Sequence, residues 1–146
     1  MINNNDLVKV RNEIKRLVSA NEEVVVRAGS DEFNRKVFEM RDVGMVVGLE
    51  FGKRDRLKQR DSGLNEIMCR LAKKNGIVVG VDVGRLARLD KLEKAKVLAR
   101  VRQNIGLCKR TGVKMIGYPA GDYDKKDLSG LVVSLGGSSG QGKMAG

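Results

Sequence analysis

Five of the eight residues from 53 to 60 are cationic: Lys53, Arg54, Arg56, Lys58 and Arg60. Arg85 and Arg88 follow in a second short segment, and Arg100, Arg102, Lys109 and Arg110 in a third. Such residues do not make a catalytic site by themselves. They make charge-assisted hydrogen bonds to anionic oxygens, and arginine adds a planar two-point fork that matches phosphate. The stretch from Lys53 to Arg110 holds 17 Lys/Arg against 6 Asp/Glu, the first 52 residues 8 against 9, and the last 36 residues 4 against 3. The net charge of +11 therefore lies in one stretch. A block of this kind points to a polyanion that docks there, and nucleic acid is the abundant candidate. A single charge run is often only a solvated surface. Three basic segments that converge on one part of a fold argue for more.

Other chemistry is scarce. Glu50 and Asp82 end two predicted strands, where a carboxylate pair can hold magnesium or work as acid and base. Among so many cations, orienting nearby arginines is the favoured role. The chain has no histidine, which excludes Ser-His-Asp and Cys-His nucleophiles and the histidine-containing metal sites. Cys69 and Cys108 each fall on the apolar side of a predicted helix. They read as free thiols in a reducing cytoplasm, two ligands being too few for zinc. No catalytic residue, metal ligand or cofactor is expected on this chain. Residues 137–143 have P-loop spacing, but Met144 stands where a magnesium-binding hydroxyl belongs and no helix is expected to follow. Phe51 and Tyr118 are the rings near the basic segments. So few aromatics argue against base stacking on a single strand and for recognition of shape and backbone in folded RNA.

The elements that must position these groups alternate between helix and strand. Residues 6–20 read as a helix with Val10, Ile14 and Leu17 on one face. A strand over 24–26 follows, then a helix from a Ser30-Asp31 cap to about Met40, with Phe33, Val37 and Met40 inward. A strand over 44–51 leads into the basic loop. Asp61 and Ser62 are expected to cap a third helix with Leu64, Ile67, Met68 and Leu71 inward. It stops at Lys73-Lys74-Asn75-Gly76, a basic last turn followed by glycine. A strand over 77–81, a loop over 84–89, a long helix over 90–110 and a strand over 113–118 come next. The long helix is expected to bury Leu98, Val101, Ile105 and Cys108, with Lys91 and Lys94 among its outer cations. Residues 124–135 read as a last helix, and 136–146 as a mobile Gly/Ser-rich tail. Strand then helix, repeated, predicts an α/β fold with a parallel sheet. The prediction is one domain over 1–135. A closed eight-unit barrel takes about 250 residues, so an open sheet or incomplete barrel is expected. Neither a signal peptide nor a membrane span is expected.

Three segments carry a resemblance. One is Glu32-Phe33-Asn34-Arg35-Lys36-Val37 with Arg41 and the strand from Val43 to Leu49. The second runs from Gln59-Arg60-Asp61-Ser62-Gly63-Leu64-Asn65 into Leu71-Ala72-Lys73-Lys74-Asn75-Gly76-Ile77. The third is Leu98-Ala99-Arg100-Val101-Arg102-Gln103-Asn104-Ile105 with Leu107-Cys108-Lys109-Arg110 and Gly112-Val113. In order and spacing the chain resembles the archaeal and eukaryotic ribonuclease P protein component 3 family, the thirty-kilodalton subunit. The resemblance implies a TIM-like (β/α) barrel, here incomplete or truncated at its N-terminal side. It implies a non-catalytic subunit of a tRNA 5'-processing endoribonuclease whose RNA does the chemistry, with magnesium held at the RNA. The implied partners are the ribonuclease P RNA, precursor tRNA indirectly, a small ferredoxin-like protein subunit, with which a heterotetramer can form, and other ribonuclease P proteins. Arg60, Arg100, Arg102, Gln103 and Asn104 are the positions it marks. Two other readings compete. One is a stand-alone metal-dependent phosphoesterase of the related barrel superfamily, resting on Glu50 and Asp82. The other is a scaffold whose basic face meets an acidic protein.

Overall fold

The computed structural model of the chain describes residues 1–119 and 124–145. Helix α1 (Leu7–Ser19) starts where the Asp6 carboxylate accepts the Val8 and Lys9 amides, and Val10 and Ile14 bury its inner face. Strand β1 (Val25–Arg27) follows, then α2 (Asp31–Phe38), capped by Ser30 and carrying acids in its first turn and bases in its last. This distribution complements the helix dipole. Strand β2 (Met45–Val47) leads through the basic loop to α3 (Glu66–Asn75) and β3 (Val78–Asp82). A five-residue helix α4 (Val83–Ala87), the 21-residue α5 (Lys91–Thr111), β4 (Met115–Tyr118), α6 (Lys125–Ser134) and α7 (Ser139–Ala145) complete the order.

The strands form one parallel sheet in the order β1-β2-β3-β4, with Val26 beside Val46, Val46 beside Val79 and Val79 beside Met115. Each strand is added on the same side as the last, as in a barrel; a doubly wound sheet would reverse. Among the described residues β1 and β4 are not paired, so the sheet is open. Alternation sorts its two faces. Val26, Val46, Val79 and Met115 join the main core with Val10, Val37, Cys69, Val101 and Ile105 from the helices. Val25, Met45 and Val47 form a smaller cluster on the other face, with Val78, Ile116 and Tyr118 against it. Gly80 sits in that face because a Cβ would strike Val47 and Met45. The outer edge of β1 is partly covered: Ile2 donates its amide to Val25 O at 2.7 Å and accepts from the Arg27 amide at 2.9 Å.

Four expectations need correction. Strand β2 stops at Val47 because Gly48, at φ 84°, turns the chain out of the sheet. Helix α3 is capped by Asn65, not by Asp61 or Ser62; the Asp61 carboxylate accepts the Gly63 amide instead. Its buried residues are Met68, Cys69 and Ala72, while Ile67 is exposed. The segment expected as a loop over 84–89 begins as α4, because the Asp82 carboxylate caps it through the Arg85 amide at 2.9 Å. The tail carries a helix, α7. Gly137 lies against Val132 and Ile105, Gly142 against Ser129, and α7 closes on α6 with Ala145 buried. Small residues permit this approach, which helix propensity alone would not predict.

Candidate nucleic-acid interface

The C-terminal ends of the strands share one edge of the sheet, and the basic loop and α4 lie over it. Loops at this edge are where parallel α/β folds place function. Arg100, on α5, holds the loop from below. Its Nη2 donates to Lys53 O at 3.1 Å, Nη1 to Glu50 O at 3.4 Å and Nε to Asp55 Oδ1 at 3.4 Å. The residue is only 7 % exposed. The Asp61 amide and Arg100 together hold the Asp55 carboxyl below the usual carboxylate range. Asn104, one turn on, donates Nδ2 to Ser62 O at 3.0 Å and is buried; among the described residues its Oδ1 has no partner. The Lys53 ammonium, itself mostly buried, pairs with Asp31 at 2.7 Å.

The strand-end carboxylates are engaged as well. Glu50 is buried, and its Oε1 accepts the Asp82 amide at 3.0 Å. Burial raises its pKa from the usual 4.5 to about 7, against the hydrogen bonds that favour the charged form. Asp82 pairs with Arg27 at 3.2 Å and caps α4. Among the described residues no group of three His, Cys, Asp or Glu could hold a metal ion. Asp82 thus orients an arginine, as the sequence reading favours, whereas the Glu50 carboxylate holds the Asp82 amide.

The thirteen predicted phosphate-contacting residues thus divide. Arg54, Arg56, Lys58 and Arg60 are exposed on the loop, where Arg56 and Gln59 pair as a small antiparallel bridge. Arg85 and Arg88 are exposed on α4. Arg102 and Gln103 are exposed on α5, and Gln103 reaches Arg60 O at 3.5 Å. Lys53, Arg100 and Asn104 point inward in this structure, where Asp31 and the loop's carbonyls accept from them. Lys109 and Arg110 are exposed in the last turn of α5, which leads to the start of β4. The 21 residues of α5 span about 30 Å, so these two lie at the far end from the loop. Sequence reasoning missed Arg27. Its signal was position, an arginine closing a strand at the functional edge.

Arg85 is the hub of the edge. Its guanidinium carbon lies 4.2 Å from the centre of the Phe51 ring. A cleft of about 470 Å³ runs from it to Arg27 and Arg54. A second, of about 460 Å³, runs to Arg88 and Tyr118. A third, of about 490 Å³, runs along Arg54 and Lys96 to Arg100.

Fold and edge together define a parallel α/β protein with barrel-type winding and a cationic loop layer at the C-terminal ends of its strands. No family model matches the chain. It is similar to ribonuclease P protein component 3 of Methanococcus maripaludis strain C6, 28 % identical over 108 residues, or 74 % of this chain and 43 % of that protein. The same protein of Methanocaldococcus jannaschii is 24 % identical over 108 residues, covering 74 % and 44 %. In fold it matches a chain of the cryo-EM structure of archaeal ribonuclease P with mature tRNA, with a TM-score of 0.76 and 21 % identity. The match covers 93 % of this chain and 58 % of that one. The resemblance read from the sequence is borne out, and the chain spans less than half the length of these curated relatives.

Proposed function

We propose that this chain is a protein subunit of ribonuclease P that binds the catalytic RNA and supports 5'-end maturation of precursor tRNA. The observation that carries this is the similarity to ribonuclease P protein component 3 across 108 residues. The exposed cations at the sheet edge support it, since they give a surface that neutralises phosphates. The chemistry belongs to the RNA, and so does the magnesium. The open sheet is part of an incomplete TIM-like barrel. The small ferredoxin-like subunit and other ribonuclease P proteins complete the assembly, and precursor tRNA is reached through them. A cytoplasmic setting accords with the buried free thiols Cys69 and Cys108. Among the described residues no helix is long and apolar enough to cross a membrane.

The test is reconstitution. Adding the chain to ribonuclease P RNA and the other protein subunits should raise precursor tRNA cleavage. Its affinity for that RNA should fall with salt by about 0.7–0.9 log units per log unit of salt for each phosphate neutralised. No effect on cleavage together with a flat salt response would overturn the proposal. So would phosphoester hydrolysis by the chain alone with manganese, abolished by Asp82→Ala.

A further inference from the structure

Few aromatics in the sequence argue against a stacking surface, yet the fold builds one from a different group. Phe51 is 9 % exposed, so its ring is not itself a platform. Arg85 lies on that ring at 4.2 Å and is exposed. The ring covers one part of the guanidinium, and the exposure of Arg85 leaves surface of that side chain to a ligand. An arginine plane is one of the surfaces on which unpaired bases of RNA stack. Lysine has the charge but no plane.

The surroundings suit one nucleotide with its flanking phosphates. Arg54 shares two clefts with Arg85 on one side, and Arg88 shares the cleft on the other. Arg88 donates Nε to Gly84 O at 3.2 Å, which leaves its terminal nitrogens for a ligand. The nearby acids are engaged: Asp31 with Lys53, Asp61 with the Gly63 amide and Asp82 with Arg27. A paired duplex keeps its bases stacked within the helix and offers no free face to Arg85.

Building on the proposed function, we infer that the groove centred on Arg85 seats one unpaired RNA nucleotide, its base on the guanidinium and its flanking phosphates on Arg54 and Arg88. The chain thereby selects a bulge or loop within folded RNA, beyond its general affinity for the backbone.

Two RNA duplexes without hairpin loops, identical except for one bulged nucleotide, test this with the full chain at two salt concentrations. The bulged duplex should bind about tenfold more tightly, the order expected for stacking of one base. Arg85→Lys, which keeps the charge and loses the plane, should abolish that preference. With 2-aminopurine at the bulge, binding of the unaltered chain should quench its fluorescence, which needs no variant to fold. Equal affinity for the two duplexes, a preference that survives Arg85→Lys, or an unquenched bulge would each overturn the inference. If salt dependence holds in those cases, RNA binding stands and only the stacking site falls. If both duplexes bind without salt dependence, the proposed function fails with it.

Discussion

Arg100→Ala separates a residue that builds the loop from one that touches RNA. The substitution removes donors from Glu50 O, Lys53 O and Asp55 Oδ1. A hydrogen bond from a charged donor contributes about 1.5–3 kcal/mol. The two bonds at 3.4 Å are long, so the lower end applies to them. Asp55 is exposed to water, so its ion pair adds little. The expected loss is therefore about 3 kcal/mol, chiefly from the two carbonyls left without a donor. For a domain of this size that is a fall in melting temperature of about 6–12 °C. Arg100→Lys, with one ammonium in place of a fork, should lose roughly half as much. Thermal melts give the stability, and RNA titrations at several salt concentrations, below the melt, give the slope. The slope should not change, because Arg100 neutralises no phosphate. An unchanged melt with a slope reduced by about 0.7–0.9 would refute the reasoning and make Arg100 a direct contact.

Glu50 ties stability to pH. Its pKa when folded is about 7, against 4.5 ordinarily. Between these values the folded chain keeps a proton that the unfolded chain has lost, so stability falls as pH rises through that window and levels off above it. Glu50→Gln should remove the fall and gain about 3 kcal/mol at pH 8 but almost nothing near pH 4.5; urea midpoints at the two pH values check this, and destabilisation at pH 8 would contradict it. Gly63 has φ 78° and a Cβ there would collide with the Leu49 carbonyl, whereas Gly76, at φ 69°, faces open space. Gly76→Ala should cost about 1–2 kcal/mol, and Gly63→Ala clearly more, as denaturation midpoints will show. Replacing Arg54, Arg56, Lys58 and Arg60 together with alanine should leave the melt unchanged and lower the salt slope of RNA binding by about 3.

Most of the helices and the parallel sheet follow from patterns that can be read without coordinates. Apolar spacing marks α1, α2 and α5, and Gly76 and Gly112 close α3 and α5 in the left-handed conformation. The inward turn of Arg100 and Asn104 was legible too. The buried positions of α5 include 97, 100, 101, 104, 105 and 108, a helical stripe in which these two polar residues take part. Counting charge hid this, because it treats every arginine as surface; periodicity asks which face an arginine occupies. The stacking of Arg85 on Phe51 was not legible. It joins residues 34 positions apart, brought together because β2 and β3 are neighbours and α4 starts at Asp82. Nor was α7, whose docking depends on the absence of side chains at Gly137 and Gly142 rather than on any propensity for helix.

The net charge of +11 overstates what the edge can do. If every cation named among the thirteen candidates faced one RNA, the salt slope would approach that of eleven neutralised phosphates, about 8–10. The fold withdraws Lys53 and Arg100 into internal bonds and carries Lys109 and Arg110 to the far end of α5. Arg54, Arg56, Lys58, Arg60, Arg85 and Arg88 remain at the loop and α4, and Arg102 beside them on α5. Seven phosphates give a slope of about 5–6. Titration of a short hairpin, too small to reach both ends of α5, should return that lower value. A slope near the higher one would mean that Lys53 and Arg100 leave their partners on binding, and that the loop rearranges around the RNA rather than meeting it preformed.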